Sequence, residues 1–542
     1  MTNSRLTSSR LNNRRLIGHI TSGSLSEGFT MRVSPHIDVQ ELKTGRFVAI
    51  KTPNEQFFSL LTDLQLAVTH PDILLYPPGA NEQLLKDIVH SKDMYATAIL
   101  RPLLTLSQQQ KPAPVKTIPH HFAPVYEVTR SDVAHIFGDE HDASRSYFNI
   151  GNPLDMDAPV CINLDKLTER SSGIFGKTGT GKTFVTRLLL AGLINNDKAV
   201  TVIFDMHSEY GLQARKESSS ESFVKGLKTL FANKVALFSL DPDSTRRRGG
   251  MPDVAITLNY QSISVEDILS LQSELNLHAT AYEAAHLIAA KYKKKWLEVL
   301  LAQGETLKEF ANEVGAHPES VAALYRKLRQ IERLPFFSRD VNDDVVTQMM
   351  EYINKGISII IEFGNYTSSF CYLLMANIIT RRLHTLYTEK TEKFLGSHSP
   401  ADEPKKLIIA IEEAHKFLNP QAAAQTIFGI IAREMRKYYV SLLVVDQRPS
   451  GIDAEVLSQI GTKVIAQLND EKDISAVLTG VSNSAQLRSV LASLESKKQA
   501  LVLGHAVPMP IVIETRSYDE AFYKSLHPHV EGNASHLIDE LF

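Results

Sequence analysis

A chain of 542 residues exceeds one ordinary domain and predicts two or three. With 43% hydrophobic and 22% charged residues it has the balance of a globular protein, and a formal net charge of −3 gives no support to a surface that binds nucleic acid over its whole extent. Apolar runs such as Ile357–Ile361 and Leu442–Val445 are too short to span a bilayer, and Arg5, Arg10, Arg14 and Arg15 lead into no long apolar stretch of a secretory signal. The two cysteines, Cys161 and Cys371, stand beside apolar residues and read as reduced core thiols, so a cytoplasmic protein without a membrane segment is expected.

Residues from about Arg14 to Pro159 read as short strands separated by Gly, Pro and Asn. The candidates are Leu16–Ile20, Gly28–Val33, Phe47–Ile50, Gln65–Val68, Tyr95–Leu100 and Pro124–Val128, which together suggest a small closed β-barrel. The Gln- and Pro-rich stretch Thr105–Lys116 is expected to be an exposed loop. The neighbours His120 and His121 do not converge on a metal from a strand or a helix and read as a solvated turn.

From Cys161 strands alternate with helices, the signature of a parallel sheet covered on both faces. The expected strands are Ser172–Phe175, Ala199–Asp205, Val235–Ser239, Ile357–Glu362, Lys406–Glu412, Val440–Val445, Lys463–Gln467 and Gln499–Leu503. Several end in an acidic or polar residue, at the carboxyl ends where such sheets bind ligands. A helical insertion interrupts them between Ser264 and Phe337, with Lys293-Lys294-Lys295 and Arg326, Lys327 and Arg329 as its basic clusters. Within it, Leu307–Gly315 followed by Pro318–Leu328 has two readings, a DNA-reading helix-turn-helix or a packing hairpin capped by Gly315. A tail, Gly504–Phe542, begins extended at Pro508–Ile513 and closes with a short amphipathic stretch.

Four motifs carry chemistry. Gly176-Lys177-Thr178-Gly179-Thr180-Gly181-Lys182-Thr183 spells G-x-x-x-x-G-K-[ST] between an apolar strand and a helical run. Its glycines turn backbone N–H groups toward a triphosphate, Lys182 reaches the β/γ-phosphates and Thr183 offers its hydroxyl to Mg²⁺. Leu407–Ile411 is an apolar strand ending in Glu412 and Glu413: the first acid sits where Mg²⁺ and its waters are held, the second where the attacking water is polarised. Gln447, ending the next strand, is placed to contact the γ-phosphate, or belongs to a turn opened by Asp446 and Pro449. Asp205, His207 and Glu209 either face the nucleotide cleft or form a solvated loop. ATP and Mg²⁺ are the expected cofactors.

Taken in order, these pieces resemble the HerA branch of the HerA/FtsK family of ring-forming DNA translocases. The correspondences are the P-loop preceded by Arg170, Asp205-x-His207-x-Glu209-Tyr210, Glu412-Glu413-Ala414-His415, Ala432-Arg433-Glu434-x-Arg436-Lys437, and Gln447-Arg448-Pro449-Ser450-x-Ile452-Asp453 with Leu457-Ser458-Gln459. The resemblance spans roughly residues 14–520, and Glu in the first acid position is common in that branch. It implies an α/β fold: a RecA-like P-loop ATPase core at 161–263 and 338–503, an N-terminal β-barrel at 1–160, the insertion at 264–337 and a C-terminal brace at 504–542.

The resemblance further implies a homo-hexamer threaded by double-stranded DNA, with ATP bound between subunits and a cation supplied by the neighbour. Arg436 is the first choice for that cation, with Arg433 and Arg170 as the other candidates; each also reads as a solvated arginine. Arg246-Arg247-Arg248-Gly249-Gly250 is a basic candidate for a pore loop or a plain surface loop. Nothing in the sequence resembles a nuclease centre, so cutting of DNA falls to a partner nuclease, or the ring serves a sirtuin-type effector in antiphage defence, docked on the barrel. A ring that assembles and regulates an effector without moving DNA is the second reading.

Overall fold

The computed structural model describes residues 14–69, 94–107, 112–154, 156–215, 223–339, 344–481, 484–495 and 498–526. They fall into two compact units, the first drawn from Met1–Leu164, Gly176–Gly181 and Thr462–Arg516, the second from Asp165–Phe175, Lys182–Gly461 and Ser517–Phe542. The units therefore cut the chain differently from the expected barrel, core and tail.

In the first unit, β1 (Leu16–Ser24), β2 (Gly28–Val33), β3 (Phe47–Lys51), β4 (Glu55–Val68), β5 (Met94–Ser107), β6 (Pro112–Ala113) and β7 (Pro124–Glu127) pair antiparallel in the order β2-β1-β7-β3-β4-β5-β6. The additional β2–β5 pairing closes six of them into a barrel. Its interior is apolar: Ile17, Phe29, Met31, Val48, Ile50, Phe57 and Leu100 are buried, with Phe29 edge-on to Phe57 at 6.3 Å. A side chain at Gly18 would meet the Arg32 carbonyl at 2.3 Å, so glycine is what lets β1 and β2 pair this tightly. Strand β5 runs through Ser107 and pairs with β6, so Thr105–Ser107 and Pro112–Ala113 of the expected Thr105–Lys116 loop are strand, while residues 114–116 are irregular; residues 108–111 lie outside the described residues. His120 and His121 are exposed, each with its ring at a neighbouring backbone carbonyl, as a solvated turn requires. Strands β8 (Tyr147–Pro153) and β9 (Val160–Asn163) belong to a separate sheet, not the barrel.

The second unit holds a fully parallel sheet. It contains β10 (Ser172–Phe175), β11 (Val200–Asp205), β14 (Val235–Ser239), β15 (Val254–Ala255), β18 (Ser358–Glu362), β19 (Leu407–Glu412) and β20 (Val440–Asp446), in the order β15-β14-β18-β11-β19-β20-β10. Two minor pairs accompany it: β12 (Gln213–Arg215) with β13 (Phe223–Lys225), and β16 (Leu258–Asn259) with β17 (Phe337–Ser338). Every residue of β11, β14, β18 and β20 is buried, which explains why these strands read as continuous apolar runs. Because all the strands point one way, Ser239, Glu362, Asp205, Glu412 and Asp446 stand together at the carboxyl end, with Ser239 opposite Glu362 and Glu362 opposite Asp205.

Helix α1 (Lys182–Asn195) follows β10 and buries Val185 through Ile194. A six-residue helix, α2 (Pro242–Arg247), is capped by Asp241, whose carboxylate accepts from the Ser244 N–H. The insertion contains α3 (Ala279–Tyr292), α4 (Leu307–Val314) and α5 (Pro318–Leu328), with Gly315 left-handed at φ 73° between the last two. The longest element, α6 (Ser369–Ser397), is fully buried from Cys371 to Thr380, and its Arg381 grips Asp267 of the insertion by two bonds of 3.0 and 2.7 Å.

The chain then re-enters the first unit as β21 (Thr462–Ile465), β22 (Gln499–Gly504) and β23 (Ile511–Thr515), which join β8 and β9 in the order β21-β22-β23-β8-β9, all antiparallel. The two last strands expected in the parallel sheet, Lys463–Gln467 and Gln499–Leu503, are thus an antiparallel pair. A short connection explains the reversal between β22 and β23, which the intervening Gly504–Pro510 turn closes without a crossover helix. Among the described residues no helix is long and apolar enough to cross a membrane.

Candidate active site

The loop Gly176–Gly181 belongs to the first unit. Gly179 and Gly181 adopt φ 80° and 90° with no atom within 4 Å of where a side chain would start, so the backbone conformation, not crowding, calls for glycine. Gly176 differs: a side chain there would strike Ala466 and Thr180 at 2.8 Å. The Lys177 N–H donates to the Gln467 carbonyl at 3.0 Å and the Thr180 hydroxyl to the Lys177 carbonyl at 2.8 Å, which pin one limb of the loop. Thr178 and Gly179 are exposed at its crest. In the second unit, Lys182 and Thr183 open α1 half-buried, and the Thr186 hydroxyl donates back to the Lys182 carbonyl at 2.9 Å.

Glu412 ends β19 and Glu413 follows it. The Glu412 carboxylate accepts a 2.6 Å bond from the Tyr210 hydroxyl, while the Tyr372 hydroxyl bonds both the N–H and the C=O of Glu412 at 3.1 Å. Burial, reinforced by Asp205, Glu209 and Glu413, pushes the Glu412 carboxyl up to about 7. Glu413 adopts a left-handed backbone, φ 51°, which turns its side chain out of the strand direction, and its carboxylate accepts from the Gln447 amide at 2.9 Å. Gln447 therefore holds the second acid.

Asp446 organises the same corner. Its buried carboxylate accepts from the His415 N–H at 2.6 Å and the Arg448 N–H at 2.6 Å, and lies 3.0 Å from the His415 ring. That hydrogen bond raises the His415 imidazole above its ordinary value. The sequence alone assigns no role to Tyr210, Tyr372 or Asp446. Tyr210 closes one of the matched motifs and Asp446 reads only as a turn opener, so neither signal reaches the bond each makes.

Asp205 requires a correction. Its carboxylate is fully buried and accepts the backbone N–H groups of Glu209, Tyr210 and Gly211 at 2.8, 2.9 and 3.3 Å. It shapes the loop after β11 from beneath instead of facing a nucleotide. Burial and the neighbouring Glu362 push it up to about 7. His207 is exposed and Glu209 half-buried on that loop.

The basic run Arg246–Gly250 is a loop only from Arg248 onward. Arg246 and Arg247 lie on α2, and Arg248 pairs at 2.9 Å with Glu362, whose carboxylate no solvent reaches. Of the three arginines expected to act across an interface, Arg170 is exposed with its stem against Gly461. Arg433 donates a 2.6 Å bond to the Ala423 carbonyl of its own chain, so it already has an intrachain duty. Arg436 falls in the 3-10 turn Met435–Tyr438, and its side chain lies outside the described residues.

Among the described residues no group of three His, Cys, Asp or Glu side chains could hold a metal by itself. Mg²⁺ uses one or two carboxylates, with phosphate oxygens and water completing its shell. A half-buried Glu412 carboxylate whose charge burial disfavours, in the same unit as the Thr183 hydroxyl, is an all-oxygen donor set that fits such a shared ion. Glu412 and Thr183 are the residues that would hold it.

The family model described as "Helicase HerA, central domain" matches residues 148–383. The chain is 24% identical over 494 residues to the DNA double-strand break repair helicase HerA of Sulfurisphaera tokodaii, covering 89% of this chain and 90% of that one. It is 23% identical over 394 residues to the protein of the same name from Pyrococcus furiosus, covering 67% and 68%. Among solved structures it is similar to VirB4 of Thermoanaerobacter pseudethanolicus, with a TM-score of 0.46, 13% identity, and 71% and 99% of the two chains covered. With a P-loop leading into α1 and a paired-acid strand two places along the same parallel sheet from β10, the chain is an ATPase, similar in its central part to the HerA helicases.

Proposed function

We propose that this ATPase is a double-stranded DNA translocase that works as a homo-hexameric ring with a partner nuclease or other effector. The observation that carries the catalytic half is the Glu412–Glu413 pair, its first acid held by Tyr210 and its second by Gln447. In this reading the backbone of Gly176–Gly181 and the Lys182 ammonium bind the phosphates of ATP. Thr183 and Glu412 would hold Mg²⁺, which would supply neutralisation of the phosphate charge. Glu413 accepts a hydrogen bond from the attacking water, whose oxygen bonds to the γ-phosphorus as the bond to the ADP oxygen breaks. The Gln447 amide keeps Glu413 on that line, and Gln447 is the candidate sensor of γ-phosphate loss.

The DNA half is supported by the relatives, which carry the name of DNA double-strand break repair helicases. A ring concentrates positive charge in its pore, so a net charge of −3 is compatible with phosphate contacts that read no sequence. Arg436, Arg170 and Arg433 are the candidates for a cation offered to the neighbour's γ-phosphate, in that order, since Arg433 is engaged within its own chain. The barrel is the proposed platform for the effector.

ATP turnover measured with and without linear duplex DNA, across a salt series, tests the proposal. Stimulation by duplex that falls steeply with salt is expected. Turnover indifferent to DNA at low salt refutes the translocase, and turnover that responds only to an effector protein replaces it with a nucleotide-gated scaffold. Lys182→Ala abolishes binding or turnover in every arm, and unchanged hydrolysis would sink the P-loop assignment.

A further inference from the structure

Tyr210 is 1% exposed, and its hydroxyl donates to the Glu412 carboxylate at 2.6 Å. The residue is itself held from several sides. Its own N–H is bonded by Asp205 at 2.9 Å, and the preceding carbonyl, that of Glu209, accepts both Nε and Nη2 of Arg187 at 2.9 and 2.6 Å. The Arg187 guanidinium lies 5.9 Å from the Tyr210 ring and 5.3 Å from that of Phe184. Arg187 is 2% exposed and stands on α1, the helix that Lys182 opens. A continuous set of bonds thus runs from the helix that carries Lys182 and Thr183 to the carboxylate that ends β19.

We propose that Tyr210 is the positioning residue of Glu412, fixing the carboxylate at the place where it meets the metal–nucleotide complex. Tyr372 bonds only the backbone at position 412, and among the described residues the Tyr210 hydroxyl is the hydrogen-bond donor that orients its carboxylate. The pairing also accounts for glutamate at this place: a side chain one methylene shorter draws its oxygens back from the phenol. Tyr210 reaches the reaction only through Glu412. The inference rests on the metal-holding role given to Glu412 above.

The experiment measures binding of a fluorescent ATP analogue to the full chain, first in EDTA and then through a Mg²⁺ titration, with ATP turnover followed over the same titration. The variants are Tyr210→Phe, Glu412→Asp, the double variant and Glu412→Ala. Tyr210→Phe binds the analogue in EDTA as the wild type does, but the Mg²⁺ concentration giving half-maximal tightening rises roughly tenfold, the scale of a lost bond to a metal-holding carboxylate. Glu412→Asp shows a similar rise, and adding Tyr210→Phe to it changes nothing further, because the two act as one unit. Wild-type Mg²⁺ dependence in Tyr210→Phe, or full additivity in the double variant, overturns the inference. So does loss of analogue binding in EDTA, which assigns Tyr210 to the fold. If Glu412→Ala also keeps the wild-type Mg²⁺ dependence, the metal role of Glu412 has failed; if Glu412→Ala alone loses it, only the role of Tyr210 has.

Discussion

Replacing Arg248 by alanine strips the counter-charge from a carboxylate that water does not reach. Glu362 is 0% exposed; Arg248 donates Nη2 to it at 2.9 Å and Nη1 at 3.4 Å, and the Thr245 hydroxyl donates at 2.8 Å. Removing one partner of a buried pair costs about 3–5 kcal/mol. The arginine is one-third exposed, so solvent already screens its end, and ~2 kcal/mol is the appropriate loss. The damage is local to the catalytic edge of the sheet, because Glu362 is the register partner of Asp205 and packs against Gly211. Thermal melts of Arg248→Ala, Glu362→Gln and the double variant measure it. The single arginine variant melts several degrees lower. The double variant regains most of the loss, since the neutral amide introduced by Glu362→Gln still accepts from Thr245 and leaves no bare charge. A melt of Arg248→Ala that matches the wild type, or a double variant no better than it, refutes the electrostatic reasoning.

Glu413→Gln keeps the length and the contact with Gln447 but removes the acceptor for the water's proton; nucleotide affinity is retained and turnover falls at least ~100-fold, checked by single-turnover kinetics. Asp205→Asn has one acceptor oxygen where three backbone N–H groups now share two, which destabilises the loop by about 1–3 kcal/mol, read from denaturant midpoints. His415 is raised above its ordinary 6.5 by Asp446, so its contribution to stability is fully present below that value and is lost as pH rises through the folded-state value. The melting difference between wild type and His415→Gln therefore narrows from pH ~5.5 to pH ~8.5, and a constant difference would exclude the ion pair.

Much of the fold is legible because its signals are local. Apolar strands with polar last residues announce a parallel sheet with its chemistry at the carboxyl edge, and Ala279–Tyr292, Leu307–Val314 and Pro318–Leu328 announce themselves by period and by Gly315. Helix α6 gives no such signal, because Cys371–Thr380 is buried all round and shows no amphipathic period, although Ser368 caps it as a helix start should be capped. The sense of β21 and β22 is a long-range matter on which composition is silent. For Arg246–Arg248 the signal is present: Asp241-Pro242 is an N-cap followed by proline at the first helical position. In the site, the acids and the glutamine are readable from motif spacing. What Asp205, Tyr210 and Asp446 do is not, since each acts through a bond to a residue distant in sequence or to a backbone N–H that no motif records.

The left-handed backbone at Glu413 bears on how this chain can be changed. A side chain with a Cβ in that conformation costs about 1–2 kcal/mol, which glycine would not incur. Selection for thermal robustness alone would therefore press position 413 toward glycine or asparagine, whereas the role proposed for Glu413 toward the attacking water would keep an acid there. On that proposal the two pressures oppose each other at one residue, and a search for more heat-resistant variants that reaches position 413 trades turnover for stability.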